Sequence, residues 1–113
     1  MSAITTHVLD TAAGRPAAGV AVRLEREEGG RWLLLGEGRT DADGRLATLL
    51  PEGRPAEPGV YRLVFALEAY FAARGVESFH PEAGVSFRVR RPGEHHHVPL
   101  LAAPFGYSTY RGS

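Results

Sequence analysis

The sequence contains no cysteine, which excludes a disulfide framework and any thiolate zinc site. It also lacks net charge, because thirteen Lys and Arg offset thirteen Asp and Glu. That balance leaves no electrostatic footprint for nucleic acid or for an anionic membrane surface. Long apolar runs are missing too. The longest aliphatic stretch, Trp32-Leu33-Leu34-Leu35, is far too short to cross a bilayer. Residues 1–10 carry neither a basic n-region nor an apolar h-region, so no secretory signal is expected. The lack of disulfides and of a signal points to a cytoplasmic protein. With 113 residues the chain has room for one domain, read as 1–113, and not for two. A domain this small leaves apolar surface near solvent, which favours self-association.

Glycine and proline are plentiful, with 14 and 8 residues that punctuate the chain at short intervals. Between them lie short runs of period-two alternation, the mark of an all-β sandwich or barrel. Ile4, Thr6 and Val8 alternate with Thr5, His7 and Leu9. Val20, Val22 and Leu24 alternate with Ala21, Arg23 and Glu25 in a half-buried strand. Trp32–Leu35 reads as the next strand, after a turn at Gly29-Gly30. Asp41-Ala42-Asp43-Gly44 reads as a turn with Gly44 at positive φ, followed by a strand over 45–50 and a Pro-rich loop over 51–58. Tyr61, Leu63, Phe65 and Leu67 share one face of a strand over 60–67. The period then changes, and 68–74 reads as a short helix closed by Gly75. Val85, Phe87 and Val89 face inward on the next strand, residues 91–94 turn, and the last strands cover 95–102 and 107–111. Roughly eight strands and one helix fit a two-sheet β-sandwich.

Three consecutive histidines carry the most chemical information. On a strand, His96 shares parity with Val98 and Leu100, the residues expected in the core, so His95 and His97 point outward with Pro99 and Leu101. Any single outward histidine is ordinarily just solvated. An outward face that mixes His, Pro and Leu instead suggests a groove or a subunit contact. His7 lies on the face opposite Ile4, Thr6 and Val8. It reads either as a surface histidine or as a base suited to proton transfer near neutrality. Arg45, at the start of a strand, is ordinarily a solvated edge residue, yet its planar fork also suits an anionic, amide-rich substrate. Asp41 and Asp43 resemble a calcium loop only superficially, since the remaining ligands and flanking helices are missing. The C-terminus is rich in β-formers to its last residues, which points to a pinned end rather than a frayed one.

Three segments together carry a family resemblance: Thr6-His7-Val8-Leu9-Asp10, Asp43-Gly44-Arg45, and His97-Val98-Pro99-Leu100-Leu101 followed by residues 106–113, Gly-Tyr-Ser-Thr-Tyr-Arg-Gly-Ser. The chain resembles the 5-hydroxyisourate hydrolases, the transthyretin-related enzymes, over essentially its whole length. The terminal Tyr-Arg-Gly-Ser is the most specific element; transthyretin itself lacks it and has lysine in place of His7. The resemblance implies an all-β, transthyretin-like two-sheet β-sandwich with one short helix, a homotetramer, and active sites lining a channel between dimers. It implies hydrolytic ring opening of 5-hydroxyisourate without metal or other cofactor. By resemblance His7, Arg45, His97 and Ser113 are the catalytic residues, and His7, Arg45 and Tyr110 bind substrate. Family members often have an aromatic between the two histidines where this chain has His96, which implies a change of packing rather than of chemistry.

Two rival readings come from other classes. One is a non-catalytic, transthyretin-like small-ligand binding protein, against which His7 and the Tyr-Arg-Gly-Ser ending count. The other is a zinc site, since His-X-His plus a third histidine can supply ligands, although no cysteine or nearby carboxylate supports it. The residues leave open whether His7 or His97 is the base.

Overall fold

A computed structural model describes residues 2–113, so the first residue of the expected 1–113 domain lies outside the described residues. Nine strands and one helix follow in chain order: β1 (Ile4–Asp10), β2 (Arg15–Pro16), β3 (Ala21–Glu28), β4 (Arg31–Arg39), β5 (Arg45–Leu46), β6 (Gly59–Phe65), α1 (Leu67–Ala72), β7 (Ala83–Val89), β8 (His96–Ala103) and β9 (Gly106–Thr109). They form two sheets, the first ordered β2-β1-β8-β9 with β5 also on β1, the second ordered β4-β3-β6-β7. The two-sheet β-sandwich with one short helix is therefore the architecture observed. The pair β1–β8 is parallel, and every other pair is antiparallel.

The period-two pattern produces the core directly. Ile4 and Val8 from β1, Val98 and Leu100 from β8, Leu24 from β3, and Leu63 and Phe65 from β6 fill the space between the sheets. Each buried side chain of that size contributes about 1.5–3 kcal/mol. Thr6 shares the inward face of β1 and is buried. Its hydroxyl donates to the Val98 carbonyl at 2.6 Å, so the polar group is satisfied.

The helix α1 seals one end of the sandwich with Leu67, Tyr70 and Phe71. The Tyr70 hydroxyl donates to Asp10 Oδ2 at 2.8 Å. Burial first, and that bond second, push the hydroxyl up to about 12. The other Asp10 oxygen accepts from the N–H groups of Ala12 and Ala13, so one carboxylate ties the end of β1 both to the following turn and to the helix. Gly75 closes the helix as expected, at φ +71°. The N–H of Gly75 donates to the Ala72 carbonyl and that of Val76 to the Phe71 carbonyl, the paired bonds of a Schellman ending.

Several boundaries differ from the sequence reading. The strand expected over 45–50 is only Arg45–Leu46. Beyond it Leu49 and Leu50, adjacent in sequence, are both buried, which strict alternation forbids. The strand expected over 32–35 runs from Arg31 to Arg39. Its apolar signal is weak because β4 is an edge strand with Leu34 55% exposed. Leu67 belongs to the helix and not to the preceding strand. The last strand is 106–109, after which an isolated bridge pairs His97 with Gly112. β2 was not expected at all.

Candidate active site

The site begins with the turn over residues 41–44. Asp41 Oδ1 accepts the N–H groups of Asp43 at 2.9 Å and Arg45 at 3.0 Å. Its carboxylate thus shapes the turn that launches β5, a use unlike a calcium ligand's. Gly44 sits at φ +77°, and a Cβ there would lie 2.4 Å from the Val8 carbonyl oxygen. Only glycine fits this close approach to β1. The turn sets Arg45 directly opposite His7 in the β1–β5 register.

The parallel β1–β8 pair supplies the other groups. Thr5 is the register partner of His97, and His7 that of Pro99. The inward-outward assignment of the histidines holds: His96 is buried and His97 is half-buried on the opposite face. His95 is exposed, just before β8 begins. Thr5 Oγ1 lies 2.9 Å from His95 Nε2 and 2.8 Å from His97 Nδ1, between two rings whose centroids are 6.3 Å apart. Thr5, Arg45, His95, His97 and Ser113 line one groove of ≈ 260 Å³. Burial, and after it the positive fields of His95, Arg45 and His7, hold the His97 ring below the usual histidine range. His97 is therefore neutral near pH 7, the state a general base needs.

His7 is oriented differently. Its Nε2 lies 2.8 Å from the Asp43 carbonyl oxygen. A carbonyl only accepts, so the ring donates from Nε2. His7 borders Arg45 but does not line the groove in the single chain. His96, by contrast, places its Nδ1 3.1 Å from the Glu94 carbonyl, and burial pushes its ring below the usual histidine range.

The C-terminus is pinned where its composition suggested. The Gly112 N–H donates to the His97 carbonyl at 2.8 Å, and Thr109 Oγ1 donates to the Pro99 carbonyl at 2.7 Å. A Cβ on Gly112 would stand 2.6 Å from His97 Cδ2 and 3.2 Å from Pro99 Cγ, so this segment lies flat on the His97 face and delivers Ser113 to the groove. Arg111 bonds Glu94 at 2.9 Å, and that bond is the main reason the Glu94 carboxyl is held below its usual range. Tyr110 is not brought to this groove. It is 59% exposed and lines a separate depression with His96, Val98, Phe87 and Arg111.

The single chain thus gathers Arg45, His97 and Ser113 in one groove, sets His7 at its border and leaves Tyr110 on the other side of β8. Sequence reasoning passed over Thr5. Its parity matched that of His7, but the parallel register that sets it against His97 comes from topology alone.

Comparison with known proteins gives the family. The HIUase/Transthyretin family profile matches residues 4–112. A relative from Caulobacter vibrioides described as a 5-hydroxyisourate hydrolase is 48% identical over 117 residues and covers 100% of both chains. The structure of Klebsiella pneumoniae 5-hydroxyisourate hydrolase superposes with a TM-score of 0.86 at 42% identity, covering 100% of both chains. Sea bream transthyretin in complex with thyroxine gives a TM-score of 0.90 at 33% identity, covering 97% of this chain and 94% of that one. The chain belongs to the HIUase/Transthyretin family.

Proposed function

We propose that this chain hydrolyses 5-hydroxyisourate, opening its lactam ring to 2-oxo-4-hydroxy-4-carboxy-5-ureidoimidazoline. The observation that carries the reading is the meeting of a neutral His97 with Arg45 in one groove, in a chain whose relatives, matched over at least 97% of its length, are described as 5-hydroxyisourate hydrolases. His97 Nδ1 is engaged by Thr5, which leaves Nε2 for chemistry. Nε2 takes a proton from water as the oxygen adds to the lactam carbonyl. The Arg45 guanidinium stabilises the negative charge that develops on the carbonyl oxygen. The ring C–N bond then breaks as a proton returns to the leaving nitrogen. His7, with its Nε2–H committed to Asp43, orients substrate beside Arg45, and Ser113 offers a hydroxyl or the terminal carboxylate to the same groove. Thus His97 is the base and His7 the binding partner.

Tyr110 enters this reading through assembly. In a homotetramer its exposed ring is free to pack on a substrate held at a subunit boundary. The expected setting is the cytoplasm, and no helix among the described residues is long and apolar enough to cross a membrane. No cofactor is needed, because water is the only co-reactant. The test is to add purified protein to freshly generated 5-hydroxyisourate and follow the ultraviolet absorbance. Decay well above the spontaneous rate supports hydrolysis. Decay at the spontaneous rate, with tight binding of an aromatic hormone-like ligand, favours a transthyretin-like carrier instead.

A further inference from the structure

We propose that Thr5 and His95 are positioning residues that set the tautomer of His97 and hold its proton on His95 between the two steps, a relay that rests on the hydrolytic reading above. The geometry is a chain of three groups: His95 Nε2, Thr5 Oγ1 at 2.9 Å, and His97 Nδ1 at 2.8 Å from the same oxygen. A threonine hydroxyl has one proton, so it donates to one ring and accepts from the other. In the first arrangement His97 donates Nδ1–H to Thr5, and Thr5 donates to His95 Nε2. His97 Nε2 then carries the lone pair and is a base. In the second arrangement both bonds reverse, and His97 Nε2 carries a proton and is an acid.

Catalysis interconverts the two. Water loses a proton to His97 Nε2 as its oxygen bonds the carbonyl carbon. The Nδ1 proton of His97 passes to Thr5 Oγ1, and the former Thr5 proton passes to His95 Nε2. His97 ends neutral and His95 ends as the imidazolium, so one proton has moved from water to His95. When the C–N bond breaks, His97 Nε2–H gives its proton to the leaving nitrogen and the relay runs backward, restoring all three groups.

The placement of charge explains the design. The half-buried His97 ring pays for burial first and stands in the groove with the Arg45 guanidinium of β5, so an imidazolium there is costly. His95 is exposed and also lines an open depression with Ser2, Arg54 and Glu94, where water solvates the charge. Thr5 is buried, which keeps bulk water from replacing its hydroxyl.

The experiment uses the full chain, 15N-labelled and free of substrate, with imidazole tautomers read by two-bond 1H–15N spectra. His97 is expected as the Nδ1–H tautomer in the wild type and in Thr5→Ser, and to move toward the Nε2–H form in Thr5→Val and in His95→Phe. In turnover of freshly generated 5-hydroxyisourate, Thr5→Val and His95→Phe should each lower kcat about tenfold or more, with KM within about twofold, and Thr5→Ser should recover to within about threefold of wild type. If Thr5→Val does not fold, the exposed His95→Phe carries both readouts. A wild-type His97 in the Nε2–H form, or wild-type kcat in the folded variants, overturns the relay. A wild type without hydrolytic activity sinks the functional reading, while the tautomer spectra still decide this one.

Discussion

The two outer faces of the sandwich bear similar residue types and treat them in opposite ways. On the β4-β3-β6-β7 sheet, charges are neutralised in place. Arg62 bonds Glu25 at 2.6 Å, Arg23 bonds the other oxygen of Glu25 at 3.4 Å, and Arg23 reaches Glu82 at 3.7 Å. The Arg62 guanidinium also lies 4.2 Å from the centroid of the Trp32 ring. On the β2-β1-β8-β9 sheet, His7, Arg45, His95 and His97 meet with no ion pair to a carboxylate among the described residues. The partners of the three rings are a threonine hydroxyl and a main-chain carbonyl. A paired cation is a surface device for solubility and modest stability. An unpaired one beside a neutral base is free to meet negative charge that develops on a substrate.

The sharpest way to break this contrast is to truncate one arginine on each face. Arg45→Ala should lower kcat/KM by about 10² or more with little effect on stability. Arg62→Ala should leave kcat/KM within about twofold while costing about 1–2 kcal/mol of stability, from its ion pair and ring contact together. Equal effects on activity, measured by steady-state kinetics beside denaturant unfolding, would erase the distinction.

The C-terminal strap gives the next effect. In Gly112→Ala the added Cβ meets His97 Cδ2, so either the ring or the strap must move, and a displacement of this kind lowers turnover about 10–100-fold. Fusing a tag after Ser113 should act in the same direction. Light scattering and thermal unfolding check that assembly survives. A tagged, assembled and fully active protein would remove Ser113 from the site.

How far the site was readable in the sequence follows from the same strands. The parity of β8 was legible because Val98 and Leu100 mark the inward face, which fixes His96 inside and His97 outside. The turn before Arg45 was legible because Gly44 and Asp41 are its chemical signature. The β1–β8 pairing was not legible, since a parallel pair joins segments some ninety residues apart and no local pattern records it; hence the role of Thr5 went unseen. β4 was read too short because an exposed edge interrupted by Gly36 and Gly38 blurs its alternation. Tyr110 was grouped with His97 by resemblance, whereas within one chain β8 separates them.

The neighbouring histidines sharpen the comparison by pH. Both rings titrate below the ordinary value of about 6.5 in the folded chain. Between that depressed value and about 6.5 the unfolded chain binds more protons, so stability is fully present above about pH 6.5 and is lost as pH falls through this window. His96→Tyr should flatten part of that acid-side loss of stability while activity stays within about threefold. Activity itself should hold near neutrality and fall as pH drops through the depressed His97 value, up to about tenfold per pH unit once His97 is protonated. An inactive His96→Tyr beside an active His97→Ala would reverse the assigned faces. The smallest effect is expected from chelation: EDTA treatment should leave turnover unchanged, and loss restored by zinc would instead make the histidines metal ligands.

The central claim is that His97 in this groove is the base for hydrolysis. The most direct measurement is the initial rate of ultraviolet decay of freshly generated 5-hydroxyisourate with wild type and with His97→Ala, both verified as folded and of the same assembly state. The account predicts wild-type decay far above the spontaneous rate and at least about 10²-fold loss in His97→Ala. A His97→Ala protein that matches wild type would contradict it.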